Sequence, residues 1–158
     1  MVHMNENISF RGEVLELLMQ AGWYRGRTVE GKLELPSDVQ YPLEIANILA
    51  EFGGLYIRSS GAGITLSRLS IKFEPAWADK ESSEGGILWD YSTRIGKKLY
   101  PLGYIPDESL ILCIDLAGKV YMAGDYLYLV GQSFTEGISN ILLGIEGQQL
   151  DDQTLAWQ

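Results

Sequence analysis

Histidine and cysteine are almost missing from this chain of 158 residues, which contains one of each. The histidine is His3, and we expect residues 1–8 to form a flexible tail. Serine–histidine–aspartate and cysteine–histidine catalytic arrangements need a positioned histidine, and structural zinc sites need several cysteine or histidine ligands. The composition therefore argues against nucleophilic catalysis and against a zinc site. We expect a protein that is not an enzyme and that needs neither a metal nor a cofactor.

The single cysteine, Cys113, has no partner for an intrachain disulfide. It lies in the apolar run 110–114, where a small buried thiol is typical, and a free thiol suits a reducing cytoplasm. No apolar run reaches the 18 or more residues typical of a membrane-spanning helix, and no signal-peptide pattern opens the chain. We therefore expect a cytoplasmic protein, and we interpret residues 1–3 as a cloning remnant.

Basic side chains are scarce in the last part of the chain, where residues 99–158 contain only Lys119. One lysine against eight acids gives this segment a formal charge of −7, out of −9 for the whole chain. Such a field repels nucleic acids and anionic lipids and attracts basic partners. We expect neither nucleic acid nor membrane as a partner, although acidity also serves solubility. The eight acids are Asp107, Glu108, Asp115, Asp125, Glu136, Glu146, Asp151 and Asp152.

The length fits one domain, residues 1–158, and 46% hydrophobic and 21% charged residues are ordinary values for a globular protein. Apolar side chains at helical spacing predict helices over 10–21, 42–52 and 87–95, and one starting at Ser133. Ser9 is the expected cap of the first helix, and Pro42 suits the first turn of the second. Ser133 and Glu136 have the spacing of a capping box.

Short apolar runs predict the strands. Leu69, Ile71 and Phe73 alternate with polar residues, and the runs 110–114, 119–122 and 126–130 are joined by tight turns. The last three indicate an antiparallel meander, in which 110–114, apolar on both faces, is central. We interpret 101–103 and 106–107 as loops and 147–158 as a flexible tail. The element order predicts an α+β fold with helices packed on a mainly antiparallel sheet.

Trp23, Tyr24, Arg25 and Arg27 lie together in one turn after the first helix. Tryptophan, tyrosine and arginine dominate binding hot spots. In the structural interpretation, which we favour for Trp23, the tryptophan fills the core and the arginines pair with nearby acids. The two arginines could also hold an anionic small molecule. A pocket joining one of them to Asp115 would favour that alternative.

Several short motifs occur in a fixed order over residues 13–145: Ala21-Gly22-Trp23-Tyr24-Arg25-Gly26-Arg27, Phe52-Gly53-Gly54-Leu55, Phe73-Glu74-Pro75, Leu99-Tyr100-Pro101-Leu102-Gly103, and Ile114-Asp115 before Gly118-Lys119-Val120-Tyr121. This ordered set resembles the third subgroup of the SUKH superfamily. Tyr104 departs from the pattern, because the family often has an acid after the YPLG segment. The matching residues are expected to be mainly structural: Trp23, Tyr24, Arg25, Arg27, Gly53, Gly54, Tyr100, Pro101, Gly103, Asp115 and Gly118.

The resemblance implies a SUKH-like α+β fold and an immunity protein of bacterial polymorphic toxin systems, which binds and neutralises a cognate toxin domain. An acidic inhibitor suits a basic toxin, such as a nuclease or a similar intracellular enzyme, because complementary charge speeds encounter. The alternative is a small ligand-binding or regulatory scaffold domain outside toxin systems. The oligomeric state stays open. The expected toxin-binding residues are Asp107, Glu108, Asp125, Tyr126, Tyr128 and Tyr104.

Overall fold

The computed structural model describes residues 9–158 of the chain. Our expectations for residues 1–8, including the flexible tail, His3 and the cloning remnant, fall outside the described residues. Within residues 9–158, no helix has the length and apolar character required to cross a bilayer.

The described residues form five α-helices and one antiparallel sheet of seven strands, which confirms the predicted α+β fold. The order of the strands across the sheet is their order along the chain. A short 3-10 helix, Pro75–Ala78, precedes the third α-helix. The helices are α1 (Gly12–Gln20), α2 (Leu43–Phe52), α3 (Asp79–Ser82), α4 (Ile87–Ile95) and α5 (Phe134–Leu143). The strands are β1 (Tyr56–Ile57), β2 (Ile71–Lys72), β3 (Tyr100–Ile105), β4 (Leu110–Ile114), β5 (Val120–Ala123), β6 (Leu127–Gly131) and β7 (Gln148–Gln149).

Both faces of the sheet carry a core. Helices α1, α2 and α5 pack on the first face, where Leu18, Phe52 and Ile138 are fully buried. Helix α4 and the end of the chain pack on the second face. Strand β4 lies fourth of seven and serves both cores, since Leu112 lies in the first and Cys113 in the second. Burying each large apolar side chain stabilises the fold by about 1.5–3 kcal/mol. The predicted central position of this strand is confirmed.

The ends of the helices follow the sequence signals only in part. At α5 the Ser133 hydroxyl accepts a hydrogen bond from the Glu136 N–H at 3.1 Å, as predicted. At α1 the prediction is wrong, because the N-cap is Arg11 and no side chain caps it. The helix begins only at Gly12, so Ser9 lies two positions before the N-cap. A capping side chain must occupy the N-cap position itself to reach the free N–H groups of the first turn.

Strand β3 occupies residues that we predicted as a loop. Proline and glycine normally interrupt a central strand, but here a bulge between Pro101 and Gly103 absorbs the irregularity. A Cβ atom at Gly103 would lie 2.0 Å from the carbonyl oxygen of Lys72. The glycine therefore allows the backbone of β2 to approach β3.

The C-terminal segment, which we predicted as a flexible tail, is paired with the sheet. Gln148 and Gln149 form β7 against β6, Leu150 is buried, and Trp157 packs against Tyr121 with ring centroids 5.9 Å apart. Leu150 and Trp157 therefore complete the core on the second face. Strands β7 and β1, each two residues long, form the two edges of the sheet.

Candidate functional site

A cleft of about 750 Å³ lies at one end of the sheet. It is bordered on one side by α5 and the residues that follow this helix, and on the other side by turns between strands. Three acids, Glu108, Asp125 and Glu146, line it. Its other walls are mainly apolar and aromatic. We call this feature the acidic cleft, and its apolar and aromatic lining consists of Leu66, Leu69, Ile87, Leu110, Met122, Tyr126, Tyr128, Val130, Ile141 and Ile145.

One wall of the acidic cleft is held by hydrogen bonds to the end of α5. The last carbonyls of a helix have no partner within the helix. Here the Leu142 carbonyl accepts bonds from the Ser59 hydroxyl at 2.7 Å and from Arg68 Nε at 2.9 Å. The Gly144 carbonyl accepts the Thr65 N–H at 2.9 Å. The glycine- and serine-rich loop of residues 59–68 is thus fixed against α5, which makes this wall rigid.

The acids of the cleft are exposed, and none of them has an ion pair within residues 9–158. The nearby cation Arg68 is already paired with Glu13 at 2.8 Å. Long basic side chains lay their aliphatic stems on apolar surface and keep the charged group at a polar rim. An apolar floor beside unpaired carboxylates therefore suits arginine or lysine side chains of a partner.

The aromatic side of the cleft comes from Tyr126 and Tyr128, which share one face of the chain entering β6. Their rings meet edge to face with centroids 6.5 Å apart. Tyr126 is 46% exposed, while Tyr128 is half-buried against the first core. An exposed aromatic face can add a cation–π contact to a basic group.

Four of the six expected toxin-binding residues line the acidic cleft: Glu108, Asp125, Tyr126 and Tyr128. Asp107 is exposed in the same turn as Glu108 without lining the cleft. Tyr104 does not line the cleft, and its ring stacks on that of Trp77 with centroids 4.6 Å apart.

Sequence reasoning missed the apolar lining and Glu146. The acid belongs to the same charged segment as Glu108, so its charge was visible, but no sequence pattern places it beside that residue. The lining comes from residues 66–69, Ile87 at the start of α4, the segment 110–130 and residues 141–145, which only the tertiary fold brings together.

The tryptophan and one arginine of the turn after α1 contact the end of α2. Trp23 donates its Nε1–H to Glu51 at 2.9 Å, and its ring is parallel to that of Phe52. Arg27 donates to the carbonyls of Glu51 and Gly53, the latter at 2.8 Å. Tyr24 and Arg25 are exposed. The small-ligand alternative needs an arginine that is available to bind an anion. Arg27 does not meet this need, because it caps the end of α2.

The glycines after α2 contribute to the same junction. A Cβ atom at Gly53 would lie 2.5 Å from the Leu33 side chain, and Gly54 has a φ of +82°, which favours glycine. In β3 the carbonyl of Pro101 accepts the Tyr41 hydroxyl at 2.7 Å, and the buried Tyr100 ring lies beside that of Tyr41. These motif residues contact the protein's own chain.

Asp115 is buried and organises the turn between β4 and β5. One of its oxygens accepts the N–H groups of Ala117 at 2.9 Å and Lys119 at 3.0 Å, and the other accepts the Tyr121 hydroxyl at 2.8 Å. Burial and the neighbouring carboxylate raise the pKa of Tyr121. Gly118 completes the turn with a φ of +91°. Asp115 does not line the acidic cleft, so that cleft is not the pocket the small-ligand alternative predicts.

A comparison with known protein families identifies the family of this chain. The model of the family described as SUKH-3 immunity protein matches residues 10–144. The chain belongs to the SUKH-3 immunity protein family. The match includes all five helices and strands β1 to β6, and it confirms the family resemblance seen in the sequence motifs. No curated protein and no solved structure is found to match the chain.

Family membership supports an immunity function, in which a SUKH-3 protein binds a cognate toxin and acts as its inhibitor. Of the acids of the cleft, Glu108 and Asp125 lie inside the matched residues, while Glu146 follows them.

Proposed function

We propose that this SUKH-3 immunity protein neutralises a basic toxin domain by binding it at the acidic cleft, without catalysis. The observation that carries the proposal is one cleft that combines an apolar and aromatic lining with three carboxylates, none of which has an ion pair in the described part of the chain. Arginine and lysine side chains of the toxin fit both parts, since their stems contact the lining and their charges meet the acids.

The charge distribution supports a basic partner. The segment 99–158 supplies −7 of the net charge of −9, and Glu108, Asp125 and Glu146 all belong to it. Complementary fields steer two proteins together and suppress encounters with partners of the wrong charge. A toxin that acts on a polyanion, such as a nuclease, needs a basic surface for its substrate. An acidic inhibitor on that surface would exclude the substrate.

The cytoplasm is the compartment we propose for both proteins. The only cysteine is a buried free thiol, which suits a reducing environment. The proposed toxin acts on an intracellular target, so its inhibitor must be present where that target is.

The proposal is tested with the toxin domain encoded in the neighbouring gene, in a catalytically inactive form for binding and in its active form for protection of a bacterial host. The test variant is the double charge reversal Glu108→Lys/Asp125→Lys. Close charge pairs at an interface contribute roughly 1.5–7 kcal/mol each, and every 1.4 kcal/mol or so is tenfold in Kd. We expect Kd to rise at least about 100-fold and protection to be lost.

The matched control is Glu16→Lys/Glu34→Lys, which changes the net charge equally. Both acids are exposed, lie outside the cleft and have no ion pair within the described residues. An equal loss of affinity in the two double variants would mean that only bulk charge matters. Wild-type affinity of the cleft variant would place the interface elsewhere. If the wild-type protein forms no complex with the toxin domain, the proposal as a whole is lost.

A further inference from the structure

A row of aromatic and basic side chains lies on the second face of the sheet, beside the part that α4 covers. The core on that face contains residues of β4, β5 and β6 but none of β1 or β2. The strand register pairs Tyr56 with Lys72 and Lys72 with Tyr104, which places these three side chains next to one another. Arg58 and Trp77 extend the row at its two ends. We call these five residues the aromatic–cation ladder.

The contacts within the aromatic–cation ladder are continuous. The Arg58 guanidinium lies 4.7 Å from the centroid of the Tyr56 ring. Lys72 Nζ lies 5.3 Å from that ring and 5.8 Å from the ring of Tyr104. Trp77 stacks on Tyr104 with centroids 4.6 Å apart and is 49% exposed. Cation–π contacts of this kind restrict the positions of long basic side chains, so the surface is ordered before a partner arrives.

The two cations of the ladder differ in their availability. Lys72 is paired with Glu74 at 3.6 Å. Arg58 is exposed, and within residues 9–158 it has no ion pair. Its planar group, already held over the Tyr56 ring, presents a fork of donors that matches a carboxylate.

We propose that the aromatic–cation ladder is a second contact surface for the toxin, binding a segment in which a carboxylate lies next to an apolar or aromatic side chain. Arg58 pairs with the carboxylate, while Trp77 and Tyr104 pack against its neighbour. Tryptophan, tyrosine and arginine are the residue types that dominate binding energy at protein interfaces.

Single-stranded nucleic acid is the other macromolecule whose chemistry resembles this surface, since it stacks on aromatic rings and pairs with arginine. The net charge of −9 and the carboxylate of Glu74 beside Lys72 oppose a run of phosphates. A single carboxylate on a protein meets only one arginine and avoids this repulsion. The observations therefore favour a protein segment.

The ladder is close enough to the acidic cleft for one partner to contact both. Tyr104 and Glu108 are four residues apart in β3 and the turn after it, so their Cα atoms are at most about 14 Å apart. A standard interface involves about 20–30 residues on each side. This inference rests on the proposed function, because it takes the toxin bound at the cleft as the occupant. Sites of opposite charge would then fix the orientation of the toxin and reject partners that match only one of them.

The test uses the full chain and the inactive toxin domain from the neighbouring gene. The variants are Arg58→Ala and Trp77→Ala, with Arg25→Ala and Trp89→Ala as controls. Arg25 is another exposed arginine, and Trp89 is a 40% exposed tryptophan on α4. We expect each ladder variant to raise Kd at least about tenfold and each control to stay within about threefold. Thermal unfolding checks each fold, and Arg58→Ala, which changes an exposed residue outside both cores, decides the test if Trp77→Ala unfolds.

Three outcomes overturn the inference. Ladder variants that bind like the wild type, while Glu108→Lys/Asp125→Lys weakens binding, refute the ladder and leave the cleft in place. A wild-type protein that does not bind the toxin refutes both proposals. A single-stranded oligonucleotide that binds the wild type and not the ladder variants identifies the surface as a nucleic-acid site instead.

Discussion

The substitution Arg27→Ala should destabilise the protein strongly, although the residue is only half-buried and does not line the acidic cleft. The guanidinium donates to two carbonyls at the end of α2, those of Glu51 and Gly53. These carbonyls lie at the helix end, where acceptors lack helical partners, and a positive charge there also interacts favourably with the helix dipole. Without the Arg27 side chain, both carbonyls lose this hydrogen bond and can bond only to water.

The magnitude follows from these two bonds. A hydrogen bond from a charged group contributes about 1.5–3 kcal/mol, and we take the lower value because Arg27 is only half-buried. Two such bonds give about 3 kcal/mol. For a domain of this size each kcal/mol changes the midpoint of thermal unfolding by about 2–4 °C, so the expected decrease is about 6–12 °C. Arg25→Ala, in the same turn but exposed and without a hydrogen bond within the described residues, should change stability by less than about 0.5 kcal/mol.

The assay is urea unfolding at neutral pH, followed by tryptophan fluorescence, since Trp23 lies at the same junction. Arg27→Lys should fall between the wild type and Arg27→Ala, because an ammonium group keeps the charge but lacks the planar fork that serves two carbonyls. Equal unfolding midpoints for Arg25→Ala and Arg27→Ala would refute the capping argument.

Three further predictions concern the core. Tyr121→Phe removes the hydroxyl bond to buried Asp115 and should lower the free energy of unfolding at pH 7 by about 1–3 kcal/mol. Since the pKa of Tyr121 is raised above its ordinary 10.0 in the folded state, stability is retained below about pH 10 and falls above it, and the variant should show a smaller fall when urea midpoints are followed to pH 11. Cys113 is fully buried with a raised pKa, so a thiol reagent should modify it only at the rate of unfolding, and rapid labelling of the native protein would contradict its placement. Gly137→Ala would put a Cβ atom 2.5 Å from Val120 and should cost about 1–3 kcal/mol in thermal or urea unfolding, whereas a gain in stability would show that α5 can move away from the sheet.

The regular elements were predictable where one physical signal dominated. Apolar residues at helical spacing located α1, α2, α4 and α5, because a helix buried on one side leaves a periodic record in the sequence. Short apolar runs joined by tight turns located β4 to β6. Strand β3 was missed because the effect of Pro101 depends on a bulge that forms only against β4. Strand β7 was missed because Gln148 and Gln149 are exposed and polar, and their pairing depends on the burial of Leu150 and Trp157 nearby.

The acidic cleft was predictable only through its charges. The concentration of acids after residue 98 indicated Glu108 and Asp125, because charge is a property that composition reports directly. The lining residues Leu66 and Ile141 are separated by most of the sheet in sequence, so no local pattern connects them. For Arg27, the sequence left a structural role and a role in a binding hot spot about equally open, with anion binding as a further alternative. Only the structure places the α2 carbonyls within hydrogen-bond distance of its guanidinium, which decides for the structural role.

The shortness of the outermost strands has a consequence for how this protein can associate. With two residues each, β1 and β7 offer few free backbone N–H and C=O groups to an added strand. Long exposed edges invite other chains to join the sheet, which leads to aggregation or domain swapping. Recognition by strand addition, which depends mainly on backbone bonds and so tolerates many sequences, is correspondingly disfavoured. Discrimination between partners must therefore come from side chains, and a few surface substitutions could redirect it while the sheet stays unchanged.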